Sequence, residues 1–184
     1  MTNDRGGGEV SLVPFYADWR GYNERVVEHL RSLSAEDLAL RSSPGHDYLP
    51  IWAIAAHTVG ARVYWLCHVF GEPGAETTPF GDPDAPGWED ELEVVRSGDE
   101  VAGAWESTWG VVQGCLDRWT PDSLGLVVRR EGRKGVEEHS RQSILLRLIT
   151  HEAYHGGEIA LIEGIHGRMQ LDLWPPRDWL IEQP

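Results

Sequence analysis

The stretch Arg147-Leu-Ile-Thr-His151-Glu152-Ala-Tyr-His155-Gly-Gly-Glu158 has the strongest helical signal in this chain and its clearest chemistry. It lies in an apolar run, residues 144–165, whose hydrophobic positions recur at helical spacing. Two histidines four residues apart lie on one face of a helix, roughly 40° apart around its axis. At that spacing two imidazoles can bind one metal ion. The sequence therefore predicts a helix over 140–164 that supplies a pair of metal ligands.

Three further segments have helical periodicity, over residues 12–33, 50–70 and 98–119. Between the second and third lie residues 72–90, whose four prolines and three glycines predict a long connection. Residues 124–139 contain a β-branched pair followed by glycine-containing turns, which predicts a short hairpin or extended crossover before the last helix. Four long helices joined in this way predict an all-α four-helix bundle.

The length of 184 residues is that of one domain, so residues 1–9 are interpreted as a flexible leader and 10–184 as a single helical domain. The tail after residue 170 is expected to pack back across the bundle and end in a helical turn. Thirty acidic residues against sixteen basic ones give a formal charge of −14, which disfavours nucleic acids and anionic membranes. No run reaches the roughly 18 apolar residues of a membrane span, and the start lacks a signal region. These features predict a cytoplasmic protein.

A third metal ligand must come from another segment, and His57 is the best candidate. It lies in an apolar helical stretch where Ala53, Gly60 and Ala61 leave space beside the imidazole. A histidine alone on such a face is more often a core residue with one hydrogen bond. Three neutral imidazoles would leave a coordination position open to water or substrate, as in catalytic sites. The remaining histidines are expected at the surface, in loops or too far along the helix: His29, His46, His68, His139 and His166.

Four charged residues near these histidines have more than one interpretation. Glu152 is the general base if the His-Glu-x-x-His pattern is that of a zinc protease, or it orients a ligating imidazole. Glu158 would complete a two-histidine, one-carboxylate iron site if His57 points away. Arg62 lies about one helical turn after His57, and Arg147 lies about one turn before His151. They either bind substrate carboxylates or form surface ion pairs.

The chain resembles the DinB/YfiT superfamily in three features. These are the bundle-like helix pattern, the segment Trp52-Ala-Ile-Ala-Ala-His57-Thr-Val-Gly-Ala-Arg62, and the last-helix run from Leu148 to Glu158. The resemblance implies an up-down-down-up bundle in which His57, His151 and His155 bind a divalent metal, Zn²⁺ or Ni²⁺ before Fe²⁺ or Mn²⁺. Many members read His-Arg-Gly-Gln after the last ligand, whereas this chain has His155-Gly-Gly-Glu158, so any role of that arginine is lost here.

The same resemblance implies a reaction class, a metal-dependent transferase that activates a low-molecular-weight thiol as cosubstrate. In that interpretation Glu152 and Arg147 assist catalysis, Arg62 binds the cosubstrate, and the protein pairs as a homodimer. Two alternatives stay open. One is a zinc-dependent hydrolase, although Glu158 and Leu161 stand where the extended protease motif has glycine and histidine. The other is a non-catalytic, stress-associated bundle with a structural metal.

Overall fold

The computed structural model describes residues 10–44, 48–132 and 135–174 and confirms an all-α, up-down-down-up four-helix bundle. The four long helices are α1 (Ala17–Ser32), α3 (Ile51–Val63), α4 (Gly98–Arg118) and α5 (Arg141–Ile165), and a one-turn helix α2 (Ala35–Leu38) follows α1. Strands β1 (Val127–Gly132) and β2 (Gly135–Ser140) form an antiparallel hairpin directly before α5. The hairpin predicted at this place is therefore present.

The helix ends follow from local chemistry. Ser97 and Ser140 cap α4 and α5 by accepting a hydrogen bond from the backbone N–H three residues on, which satisfies an otherwise unpaired donor. Proline at 14 begins a short 3-10 turn, Val13–Phe15, so α1 starts later than the apolar periodicity suggests. After α3 the backbone continues as a π-helical segment, Tyr64–Val69, and Gly71 with φ of 72° ends it.

The helices pack in the spatial order α1, α4, α3, α5, and the apolar core fills the space between them. Helix α3 is buried along most of its length because it contacts both α4 and α5. Helices α1 and α5 are not closely packed on each other; instead Leu171 of the C-terminal segment is buried between them, beside Ile159 and Ile162. The tail thus packs across the bundle as expected, while the helical turn expected at its end falls outside the described residues.

One buried ion pair joins all four long helices. The Arg62 guanidinium on α3 is fully buried, and its Nε donates to Glu152 Oε1 on α5 at 2.8 Å. Its Nη1 donates to Asn23 on α1 at 2.9 Å, and to the Trp105 carbonyl on α4 at 3.2 Å. The second Glu152 oxygen accepts from Trp19 Nε1 on α1 at 2.7 Å. Arg62 and Glu152 are therefore internal partners, and the surface ion pair considered for Arg62 does not form.

The expectation that His29 is a surface residue was wrong. Its Nε2 lies 2.5 Å from Glu163 Oε1, and only 9% of the His29 side chain is exposed. Glu163 on α5 is fully buried, and its other oxygen accepts from the Leu171 backbone N–H at 2.7 Å. A buried carboxylate requires hydrogen-bond donors, and His29 supplies one from across the bundle.

None of the described helices combines the length and the apolar character that crossing a membrane would require.

Replacing Glu152 with glutamine is expected to lower the free energy of unfolding by about 3 kcal/mol, because the Arg62 charge stays buried without its counter-ion. The matched control is Glu24→Gln, which breaks the exposed Arg20–Glu24 pair. That change is expected to cost less than about 1 kcal/mol. Urea unfolding of both variants measures the difference. Equal midpoints would contradict the structural role given to the Arg62–Glu152 pair.

Candidate metal centre

Three imidazoles from two helices meet on one side of the bundle. Helix α3 contributes His57, and α5 contributes His151 and His155. The ring centre of His57 lies 5.1 Å from that of His151 and 5.2 Å from that of His155, and the two α5 rings are 4.5 Å apart. One nitrogen from each ring lies within 4.8 Å of the other two nitrogens. The three side chains are therefore grouped as a set of ligands around one centre would be.

Two of the three imidazoles are oriented by carboxylates. Glu89 Oε1 lies 2.8 Å from His57 Nδ1, and Glu158 Oε2 lies 2.7 Å from His155 Nδ1. A carboxylate acceptor favours the tautomer with its hydrogen on Nδ1, so the lone pair of Nε2 remains available to a metal. This carboxylate–histidine arrangement is the one that commonly supports metal ligands. Glu158 thus contacts a ligand candidate and does not take the place of His57.

His151 differs from the other two histidines in its hydrogen bonding and in its pKa. Its Nδ1 is buried, and within residues 10–44, 48–132 and 135–174 it finds no hydrogen-bond partner. Burial, and then the neighbouring His155, His57 and Arg147 side chains, lower the pKa of His151 to about 4. The imidazole is therefore neutral at physiological pH, as a metal ligand must be. A buried nitrogen without a partner costs roughly 1–3 kcal/mol, which a bound ligand would offset.

The pKa of His57 is shifted in the opposite direction. The hydrogen bond that His57 donates to Glu89 raises the pKa of His57 above its ordinary value and outweighs the opposing effect of burial. Burial acts to raise the pKa of Glu89, but the hydrogen bond from His57, a backbone hydrogen bond and the charge of His57 together lower it. Two histidines whose rings lie 5.1 Å apart therefore differ in charge over a range of mildly acidic pH.

A cavity of about 380 Å³ opens beside the histidines. His57 and His151 form part of its wall, and the π-helical segment contributes Tyr64, Trp65 and His68. The long connection closes another side with Phe80, whose ring would contact a Cβ atom at Gly60 at 3.7 Å, and with Glu89. A cavity of this size accommodates a small organic molecule next to the imidazoles.

The structure separates the charged residues that the sequence grouped together. Arg147 lines the cavity, with its guanidinium carbon 4.8 Å from the centre of the Trp65 ring. Arg62 and Glu152 do not line it, because they form the internal ion pair. His139 was expected to be solvated; instead its ring packs 4.7 Å from that of Trp65, and 12% of its side chain is exposed.

Sequence reasoning missed Glu89. It lies in the short 3-10 helix Trp88–Asp90, within the proline-rich connection whose residues have no periodicity to place them. The one sequence feature that pointed toward this contact was the set of small side chains around His57 on α3, which leaves room for another segment to pack there. That signal indicates an approach to His57 but does not identify the residue that makes it.

The sequence profile of the DinB superfamily matches residues 20–159, a range that contains all three histidines and both of their carboxylate partners. The chain belongs to the DinB superfamily. Among solved structures, the crystal structure of a DinB-like protein from Bacillus cereus superposes with a TM-score of 0.66 over 89% of this chain and 98% of the other. The two sequences are 18% identical, so that likeness concerns the fold. No curated protein matches the chain in sequence.

Membership in the DinB superfamily confirms the family resemblance of the helix pattern and of the two histidine-containing segments. The matched range includes most of α1, all of α3 and α4, and α5 as far as Ile159. It therefore spans both helices that supply the histidines, while the C-terminal segment beyond α5 lies outside it. The hydrogen bonds of Glu89 and Glu158 with the histidines are seen in the structure of this DinB protein and do not follow from the family match.

In the metal-free protein, His57 is expected to be more than half protonated at pH 6.5, whereas His151 stays neutral down to about pH 4. Histidine side-chain NMR correlations recorded against pH measure both values. Glu89→Gln removes the charged acceptor and should lower the pKa of His57, while Glu91→Gln, an exposed neighbour, should not. A pKa of His57 at or below the ordinary value of histidine in the unaltered protein would contradict the assigned hydrogen bond.

Proposed function

We propose that this DinB-superfamily protein binds one divalent metal ion through His57, His151 and His155 and transfers a low-molecular-weight thiol to an electrophile. The observation that supports the proposal is the convergence of three imidazoles from two helices, two of which, His57 and His151, line a cavity of about 380 Å³. A site with three protein ligands beside a cavity has room for a substrate at a further coordination position.

The residues fit a divalent ion in three respects. The donor set is entirely imidazole, which suits Zn²⁺ or Ni²⁺ and also accepts Fe²⁺ or Mn²⁺. Carboxylates hold His57 and His155 by Nδ1, which leaves Nε2 of each ring as the donor atom. The buried Nδ1 of His151, without a partner in the described part of the chain, marks a ring whose hydrogen bonding the described protein groups do not complete.

A divalent cation in this site would lower the pKa of a thiol bound beside it and so favour the nucleophilic thiolate near neutral pH. Arg147 lies in the cavity wall without an ion-pair partner among the described residues, and its guanidinium can bind a carboxylate of the thiol in bidentate fashion. The Trp65 ring packs against one face of that guanidinium. Phe80 and Trp65 give the cavity wall apolar surface against which the carbon atoms of the thiol can pack.

The geometry favours transfer over hydrolysis. In a zinc hydrolase of the His-Glu-x-x-His type, Glu152 would be the general base and would need to contact the attacking water. Here each Glu152 oxygen accepts a hydrogen bond from a buried donor, Arg62 or Trp19, and Glu152 does not line the cavity beside His151. Glu158 is likewise hydrogen-bonded to His155 Nδ1, an arrangement that argues against Glu158 as the carboxylate ligand of a two-histidine iron site.

The proposed reaction is tested by incubating metal-loaded protein with a panel of low-molecular-weight thiols and monochlorobimane, and measuring conjugate fluorescence. We expect conjugation with one or more carboxylate-containing thiols, loss of turnover after chelation, and restoration by Zn²⁺ or Ni²⁺. His151→Ala should abolish turnover, whereas the control His166→Ala, an exposed histidine outside the cluster, should not. Arg147→Ala should raise KM for the thiol more than it lowers kcat, because it removes a binding contact.

The exposed arginine on β1 provides the matched control for Arg147, since Arg129→Ala removes the same side chain away from the cavity. It is expected to leave KM unchanged. If the metal-loaded protein conjugates none of the thiols, the transferase proposal is wrong and the non-catalytic metal-binding bundle takes its place. Turnover that survives both chelation and His151→Ala would contradict the proposed site.

A further inference from the structure

A second cavity, of about 510 Å³, lies between α1 and α5, where these two helices do not pack closely on each other. It shares no lining residue with the cavity beside the histidines. Because His151 and Glu152 are neighbours on α5, their side chains point roughly 100° apart around the helix axis. His151 borders the first cavity and Glu152 borders the second.

Aromatic rings form much of the wall of this second cavity. Trp19 and Tyr22 on α1 line it, and Trp174 of the C-terminal segment faces them. The rings of Tyr22 and Trp174 meet edge to face, with centres 5.7 Å apart, and so form a corner. Trp105 also lines the cavity, but the Arg62 guanidinium already lies 4.8 Å from its ring centre. Three aromatic side chains are thus available to a bound molecule.

The charged residues of the cavity wall are all acidic. Glu152 and Asp172 line it, and no lysine, arginine or histidine does so among the described residues. Glu152 is 8% exposed, and its two oxygens are fixed by Arg62 and Trp19. An ionised carboxylate has about four acceptor sites, so Glu152 can accept further contacts without losing the internal pair.

We propose that this cavity binds an organic cation, an alkyl- or arylammonium ion with an apolar body. Aromatic faces attract a positive charge within about 6 Å through their quadrupole, and they solvate the apolar groups attached to it. The Asp172 carboxylate adds attraction of the same sign, and the formal charge of −14 raises the local concentration of cations, whereas the charge of Glu152 is already paired with that of Arg62. An anionic ligand would meet the Asp172 carboxylate without compensation, because no basic residue lines the described wall and the Arg62 guanidinium is bound to Glu152.

Binding is tested by isothermal titration calorimetry with phenyltrimethylammonium, its neutral isostere tert-butylbenzene and the anion benzoate. We expect the cation to bind with one site per chain, at least tenfold more tightly than the neutral compound, and no binding of benzoate. The affinity should be the same in metal-loaded and chelator-treated protein, because the two cavities are separate. Equal affinity for the cation and the neutral compound would overturn the proposal, as would the absence of cation binding.

Two helical glycines provide a matched pair of variants. A Cβ atom at Gly157 or at Gly110 meets no atom within 4 Å, so both positions have room for a side chain. Gly157 lines the second cavity and Gly110 does not. Gly157→Leu should therefore reduce binding of phenyltrimethylammonium by more than tenfold, and Gly110→Leu should leave it unchanged. Equal effects of the two substitutions would place the binding elsewhere and overturn the proposal.

Trp174 offers a variant that does not depend on the folding of a substituted helix, because its side chain is 63% exposed. Trp174→Leu keeps an apolar group but removes the aromatic face. The affinity for the cation should fall several-fold, whereas that for tert-butylbenzene should change little. If both affinities fall by the same factor, the ring contributes only apolar surface, and the assignment to an organic cation is wrong.

Discussion

The buried ion pair of Arg62 with Glu152 is the interaction that positions the rest of the site. Arg62 follows His57 by five residues on α3, and Glu152 follows His151 directly on α5. Because helices are rigid over such distances, the contact between the two charged residues also fixes the axial position of α3 relative to α5. The same guanidinium reaches Asn23 on α1 and the Trp105 carbonyl on α4, so a shift of any long helix would break a buried hydrogen bond. A buried pair of this kind contributes specificity of arrangement more than net stability, because both charges lose their hydration.

The helical pattern and the three histidines were accessible from the sequence because both depend on spacing within single segments. Periodicity indicated each long helix, and the interval of four placed His151 and His155 on one face. The role of Glu152 was harder to infer, since the His-Glu-x-x-His pattern has the same letters in a hydrolase. The hydrolase and the present protein differ in the direction of the Glu152 side chain. Here it points into the bundle, where it accepts hydrogen bonds from Arg62 and Trp19.

Other contacts depend on tertiary structure and have no local signature. Glu89 reaches His57 from a connection without periodicity, and its position follows from how Phe80 and its neighbours pack near Gly60. The pairing of His29 with Glu163 joins residues 134 apart in sequence. Each residue taken alone is compatible with a solvated helix surface. A buried carboxylate in an apolar helix indicates that a partner exists, but the partner is identified only when the helices are placed against each other.

Helix α5 separates two chemically different environments. One side presents imidazoles, an arginine and an orienting carboxylate, and the other presents aromatic rings and acidic groups. On the first side, three imidazole nitrogens from α3 and α5 are proposed to bind one ion and leave a coordination position free. X-ray absorption spectroscopy of the protein loaded with one equivalent of Zn²⁺ or Ni²⁺ measures this directly. We expect three imidazole ligands and at least one oxygen ligand, which a sulfur atom replaces when thiol is added. A spectrum with only two imidazole ligands, or with a fourth protein ligand that thiol does not displace, would contradict the proposed site.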